Sequence, residues 1–300
     1  MTPQLCLGTA QFGLAYGLTN AAGQVTESEV ALLLHQAANN GIRWLDTAQA
    51  YGNAEAVLGR NMPVGHSFQL VSKLPAQPQQ RFTAADQALW DQAFQATCER
   101  LGSQSLDALL LHAPSDLNKP GGEWLQEWLL GLRDRGFVQR LGVSIYEASD
   151  LDGVDPILLD LVQLPLSLYD QRLLADGTIG LLRSQGCSVH ARSIYLQGLL
   201  LTPSASWPTW INSTTRQHHA RLEHFANLRG ASLLDCALGF ACEQQGLEAV
   251  VIGLCSHREL QQLLLAWCRS SPWQQAEWSS WFVYDPDILD PRRWRQFDNR

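Results

Sequence analysis

The chain has 300 residues, 46% of them apolar and 17% charged, with a formal net charge of −8. That is enough apolar material for one sizeable core and too few charges for a disordered chain. The acidic balance argues against a general nucleic-acid binder, which needs a basic face.

Seven cysteines (Cys6, Cys98, Cys187, Cys236, Cys242, Cys255 and Cys268) form an odd set with no C-x-x-C pair. No basic segment followed by an apolar run opens the sequence. Both features point to a reducing, cytoplasmic setting. The longest apolar runs, such as 108–111 and 249–252, have the length of strands. They fall far short of the ~20 residues of a membrane span, so no membrane partner is expected.

Short apolar runs alternate with longer amphipathic stretches. Residues 4–7 read as a strand. Residues 27–40 read as a helix, with Thr26 or Ser28 near its start and Gly41 closing it. A strand at 42–45 leads to a short helix at 54–60. A strand at 68–72 leads to a long helix from about 84 to 101, stopped at Gly102. The strand at 106–111 precedes a helix at 123–135, stopped at Gly136. A strand at 138–143 with a short helix after it is followed by a strand at 159–163 and a helix at 177–185, stopped at Gly186. A strand at 188–193, a Pro/Ser/Trp-rich loop at 202–215 and two helical stretches come next. The last strand is 249–252 and the last helix 257–267.

This is eight strand-then-helix units in one series. The strands are short and apolar, as strands buried on both faces must be. Eight such units in ~250 residues predict an α/β fold of the (β/α)8 TIM-barrel kind. The rival is an open doubly wound sheet, but no G-x-G-x-x-G follows the first strand. No linker separates two domains. Residues 1–300 are therefore expected to form a single barrel domain with an irregular, Trp- and Pro-rich tail from about 268 to 300.

Barrels of this kind place their chemistry at the C-terminal ends of the strands. Strand two ends at Asp46, with Tyr51 in the loop beyond. Strand three ends at Lys73 and strand four at His112. Taken singly, each has a plain structural reading: a loop cap, a packed ring, a solvated amine, a satisfied rim histidine. Together they suit carbonyl chemistry. An ammonium favours a phenolate and lowers the Tyr pKa, and the Asp holds the Lys. A His can orient a carbonyl oxygen. No cluster has metal-ligand spacing, and His218, His219 and His224 read as solvated on a surface helix.

The residues Leu7-Gly8-Thr9-Ala10-Gln11-Phe12-Gly13, Gly41 to Ala48, Tyr51-Gly52-Asn53-Ala54-Glu55, Leu58-Gly59, Ser72-Lys73 and Leu111-His112 resemble the aldo-keto reductase family. Leu141-Gly142-Val143-Ser144, Val162-Gln163-Leu164-Pro165, Gln197-Gly198-Leu199-Leu200 and Val251-Ile252-Gly253 extend the likeness in the family's order. It covers about residues 4–265. The resemblance implies NAD(P)H-dependent reduction of a small-molecule aldehyde or ketone. Tyr51 would be the proton donor, with Lys73, Asp46 and His112 completing the catalytic set and hydride coming from the nicotinamide.

The implied cofactor contacts are Ser144 and Gln163 at the nicotinamide amide, and Arg192 where an aromatic side chain commonly stacks. Gln197, Gly198 and Leu199 open a loop over the diphosphate, with 202–215 as its lid. Gly253, Ser256 and Arg258 fall at the adenosine end. The sequence departs from the family pattern at Ile145, Arg192 and Cys255, all in the cofactor half. NADP is the expected form, with NAD as the alternative.

The run from Gln11 to Asn20 resembles a bacterial subset associated with sugars and surface polysaccharides. Trp273, Trp278, Trp281, Phe282 and Trp294 in the tail either pack over the barrel or stack on sugar faces, and the Arg292-Arg293 pair suits phosphate or carboxylate. The alternative function is a cofactor-binding accessory or regulatory barrel with little turnover. A third is non-redox chemistry, such as isomerisation, on the same scaffold. The sequence leaves substrate, direction and oligomeric state open.

Overall fold

The computed structural model describes residues 2–269, 271–274 and 277–294. Residues 1, 270, 275–276 and 295–300, which the expected 1–300 domain and its tail include, lie outside the described residues. The strands are β1 (Gln4–Gly8), β2 (Trp44–Asp46), β3 (Gln69–Leu74), β4 (Leu106–Leu111), β5 (Val138–Ser144), β6 (Leu161–Pro165), β7 (Ser188–Arg192) and β8 (Ala249–Gly253). They pair in parallel in sequence order, and β8 closes on β1, giving a (β/α)8 barrel.

Local chemistry sets the connecting helices. Thr26 accepts a hydrogen bond from the Glu29 backbone N–H and starts Glu27–Asn39. Gly102, at φ +65°, closes Asp86–Leu101 in the left-handed conformation that glycine adopts without penalty. Ser256 caps His257–Trp267 by accepting from the Glu259 N–H at 3.2 Å. The Asp86–Leu101 helix begins at Asp86 rather than 84, because Asp86 Oδ2 takes up the Thr83 N–H and hydroxyl in a preceding turn. The short helix expected after β5 is a pair of 3₁₀ turns, Ala148–Leu151 and Pro156–Leu158.

The core has two layers. Most buried apolar residues fill the shell between strands and helices. A smaller cluster of Cys6, Trp44, Val71, Ala108, Leu110, Leu161, Ala249 and Val251 plugs the barrel itself. Side chains alternate across a strand, so the residue two places beyond each plug residue points into the barrel's C-terminal mouth. That rule carries Trp44 to Asp46, Val71 to Lys73, Leu110 to His112, Leu161 to Gln163 and Val251 to Gly253. The opposite end is closed by Trp44 edge-on to His190, with Arg140 over the indole and Glu248 Oε2 2.9 Å from both Arg140 Nη1 and His190 Nε2. The barrel is thus floored by packing and open for chemistry at one rim.

Candidate active site

Asp46 and Lys73 are both buried. Lys73 Nζ lies 2.7 Å from each Asp46 carboxylate oxygen and donates to the Thr47 carbonyl at 2.9 Å. All three ammonium hydrogens are therefore used. Gln163 Nε2 donates to Asp46 Oδ1 at 2.7 Å. Above this group, Tyr51 and His112 meet edge to face, with ring centroids 5.9 Å apart. Lys73 Nζ stands 5.3 Å from the Tyr51 ring centroid.

The expected lowering of the Tyr51 pKa by Lys73 meets the opposite balance. Burial pushes the phenol well up and the Asp46 charge adds to it, against a downward pull from Arg192. The Lys73 charge is already answered by Asp46 at contact distance. Tyr51 is held as neutral phenol, which is the form an acid needs. Burial, then the nearby Lys73 charge, lowers the His112 pKa to about 4, so its ring is neutral too.

The neighbouring Glu55 carries part of the placement. It is buried and accepts from the Ser72 hydroxyl at 2.7 Å, from the Thr97 hydroxyl at 3.2 Å and from Arg100 at 2.6 and 2.8 Å. It thereby locks the strand residue beside Lys73 to the helix that follows β3. Gly13 packs where any Cβ would stand 1.8 Å from the Tyr51 carbonyl oxygen, so the first loop supports the Tyr51 loop backbone to backbone.

A cavity of about 520 Å³ opens over this group. Asp46, Tyr51, His112, Gln163, Arg192, Gln197, Gly198 and Gly253 line it, and so do Gln11, Tyr16, Tyr146, Tyr195 and Glu259. Lys73 lies beneath its floor. Ser144, Leu199, Ser256 and Arg258 do not line it: Ser144 and Leu199 are buried, Ser256 is spent on its cap, and Arg258 is exposed. Three buried polar atoms along the wall lack a partner: Gln163 Oε1, Gln11 Oε1 and Tyr195 Oη. Such atoms are costly unless a ligand meets them. Together with the cavity's volume they fit a nicotinamide dinucleotide.

Segment 202–215, expected as a lid, lines none of this cavity. Trp207 is buried and donates to the Leu199 and Thr202 carbonyls, and Arg216 holds the Ser204, Trp207 and Pro208 carbonyls. The cover comes from the other side. Gln197 Nε2 donates to Tyr16 Oη at 3.2 Å, and the Thr19 hydroxyl donates to the Gln197 carbonyl at 3.4 Å. Gly198, at φ +92°, leaves room for Thr19, which a Cβ would strike at 1.9 Å. The loop after β1 thus bridges to the loop after β7. Its polar, glycine-rich composition gave no sign of that role.

The histidines of the Ser213–Leu228 helix also differ from expectation. His224 is exposed, but His218 is only partly so and His219 is fully buried. His219 stacks on Trp207 at 4.3 Å, with Nδ1 2.7 Å from Tyr169 Oη and Nε2 2.9 Å from the Thr202 carbonyl. The polar sequence of this helix hid a histidine that ties down the 202–215 segment.

In the tail, Trp273 and Trp294 are buried. Trp273 stacks on Phe225 at 5.1 Å and donates to the Cys236 carbonyl, and Trp278 donates to Glu243. None of the tail aromatics among the described residues lines the cavity. One tail residue approaches it indirectly: the Arg292 guanidinium carbon lies 3.8 Å from the Tyr146 ring centroid.

The sequence matches the model of the Aldo/keto reductase family over residues 4–281. An aldo-keto reductase from Mycolicibacterium smegmatis is 32% identical over 137 residues, covering 44% of this chain and 45% of that protein. One from Mycobacterium tuberculosis is 30% identical over 146 residues, 47% of each. The matched stretch thus spans a little under half the length of these curated relatives. An aldo-keto reductase of known structure from Bacillus halodurans superposes with a TM-score of 0.75 at 17% identity, covering 97% of this chain and 95% of that one. A glycerol dehydrogenase from Gluconobacter oxydans gives 0.70 at 20% identity, covering 96% and 91%. At these identities the structural likeness is one of fold.

Proposed function

The chain belongs to the aldo/keto reductase family, and from that premise we propose that it reduces an aldehyde or ketone with a nicotinamide dinucleotide. When bound, the dinucleotide supplies hydride to the carbonyl carbon. Tyr51 delivers its phenolic proton to the carbonyl oxygen, completing the alcohol. His112, neutral in this environment, donates a hydrogen bond to the same oxygen. Asp46 and Lys73 hold a compact ion pair below Tyr51 that keeps the floor of the site fixed.

Gln163 Oε1 is placed to accept from the nicotinamide carboxamide, with Ser144 beside it on β5. Gln197 and Gly198 line the path of the diphosphate, with Leu199 buried behind them. Gly253, Ser256 and Arg258 mark the far end, where NADP or NAD would be told apart. NADP is the expectation from the family resemblance. The far wall supports NAD instead. Glu259 lines it, His257 is paired with Glu29 at 2.7 Å, and Arg258 stands outside the lining. A carboxylate there can accept a ribose hydroxyl but repels a 2′-phosphate.

The seven cysteines are all free thiols, which supports a cytoplasmic setting. No helix among the described residues is long and apolar enough to cross a membrane.

The observation that carries the proposal is a neutral Tyr51 phenol facing a neutral His112 ring at the end of a cavity whose wall leaves Gln163 Oε1 unpartnered. The test is absorbance of the reduced nicotinamide during incubation with NADPH or NADH and a panel of aldehydes and ketones. Turnover at least a hundredfold above a Tyr51→Phe control is expected. Tight cofactor binding with no carbonyl turnover would favour an accessory barrel, and altered substrate without cofactor consumption would favour isomerisation.

A further inference from the structure

Arg192 is the only Lys or Arg side chain among the described residues lining the cavity. It ends β7, two positions beyond His190, at the mouth that holds Tyr51 and His112. Its NH2 donates to the Ile145 carbonyl at 2.9 Å and its NH1 to the Ser193 hydroxyl at 3.3 Å. No carboxylate among the described residues pairs with it. The other cations nearby are answered. Arg292 is bound through two nitrogens to Asp290 at 2.9 and 2.7 Å, Arg172 likewise to Asp170 at 2.8 and 2.9 Å, and Lys73 to Asp46. His112 is neutral. Among the described residues, the carbonyl end of the cavity therefore carries one uncompensated positive charge.

That charge is held in place. The Arg192 guanidinium carbon lies 4.1 Å from the Tyr146 ring centroid, and the Arg292 carbon 3.8 Å from the same centroid. Both guanidinium groups thus lie against the one phenol ring. A planar cation stacked on an aromatic ring and tied to a backbone carbonyl has few orientations left. Its remaining N–H groups are free for a ligand, and an arginine fork matches the oxygens of carboxylate and phosphate.

We propose that the carbonyl substrate carries an anionic substituent, a carboxylate or a phosphate, and that Arg192 selects it. The inference rests on the reductase reading given above and narrows its substrate class. Arg292 is a positioning residue, which reaches Arg192 only through the Tyr146 ring and does not line the cavity.

The test compares paired aldehydes with and without the anion. Succinic semialdehyde is set against butanal, and glyceraldehyde 3-phosphate against glyceraldehyde. The enzyme should prefer the anionic member of at least one pair by tenfold or more in kcat/KM, and which pair does so separates carboxylate from phosphate. Arg192→Gln should bring that ratio close to one, mainly by raising KM for the anionic member. Arg192→Lys should keep part of it, and Arg292→Gln should reduce it by a smaller factor. The Kd of reduced cofactor is measured alongside by fluorescence.

No preference in the unaltered enzyme, equal losses on both members of a pair, or a loss confined to cofactor Kd would each overturn the proposal. Absence of turnover on all four aldehydes would overturn the reductase reading. The anion site is then read by calorimetry with 4-hydroxybutyrate and inorganic phosphate. Binding lost in Arg192→Gln upholds the site, and no binding to the unaltered protein overturns it.

Discussion

Gln163 Nε2 donates to Asp46 Oδ1 at 2.7 Å, tying β6 to β2 across the barrel mouth while Gln163 Oε1 is left without a partner. One amide thus faces both halves of the site. Its donor steadies the Asp46–Lys73 pair, and its acceptor awaits a ligand. Gln163→Leu should raise the Kd of reduced cofactor by about tenfold or more, the worth of one buried hydrogen bond with an uncompensated partner. Fluorescence titration measures it, and a change below twofold would remove Gln163 from the cofactor site.

The Asp46–Lys73 pair lends itself to a double-variant cycle. Asp46→Leu leaves a buried ammonium without its counter-charge, since the pair meets at 2.7 Å with Lys73 wholly buried. A loss of about 3–5 kcal/mol of stability is expected for that single change. Asp46→Leu combined with Lys73→Met should recover much of the loss, because two apolar side chains no longer bury a charge. Urea unfolding of the three variants measures it. A double variant as unstable as the single one would show that the pair stabilises beyond its own charges.

Acid should destabilise the protein before its carboxylates titrate. Burial lowers the pKa of His112 and of His219 from 6.5 to about 4 in the folded state. The unfolded chain takes up these protons near pH 6.5 and the folded chain does not. Stability therefore falls as pH drops from about 6.5 to 4, by at most about 1.4 kcal/mol per pH unit for each histidine. Above pH 7 both states are neutral and the effect is absent. Urea unfolding across pH 4.5–7.5 measures the slope, and His112→Gln should cut it by about half.

Glu259 offers a test of cofactor preference. Its carboxylate lines the far wall and accepts from the Cys255 N–H at 2.7 Å. NADH should bind more tightly than NADPH, and Glu259→Gln should narrow the gap by improving NADPH. A factor of about ten is reasonable for removing one like charge near a partly exposed phosphate. Tighter NADPH than NADH in the unaltered protein would reassign the 2′-phosphate to Arg258 despite its exposure.

Much of this architecture was legible because it follows from local rules. Short apolar runs marked the eight strands, and glycines marked the ends of several helices between them. The rim rule then picked out Asp46, Tyr51, Lys73 and His112, each near the end of a strand. What stayed hidden depends on contacts made over long sequence distances. The Tyr146 ring meets Arg192 and Arg292, 46 and 146 positions away, and no periodicity encodes it. His219 lies in a helix of mostly polar sequence, and only Trp207 and Tyr169 make its burial possible. The family resemblance puts the cover over the cavity at 202–215, whereas the Tyr16–Gln197 contact places it at the first loop.

Gly13 links that first loop to Tyr51, the proposed proton donor, and gives a prediction that separates position from chemistry. An added Cβ would stand 1.8 Å from the Tyr51 carbonyl oxygen and 2.5 Å from the Ala54 backbone nitrogen. Both are backbone atoms, so neither can swing aside, and the Tyr51 loop must shift. Gly13→Ala leaves every ionisable group in place. It should nevertheless lower kcat by tenfold or more, because a displacement of about 1 Å at the proton donor is enough for losses of that size. Cofactor Kd should change far less than kcat, since Tyr51 delivers the proton rather than holding the dinucleotide. Steady-state kinetics with parallel cofactor titration measures the split. Equal losses in both would mean that the first loop has collapsed into the cofactor cavity, and unchanged kcat would show that the Tyr51 loop is not set by this contact.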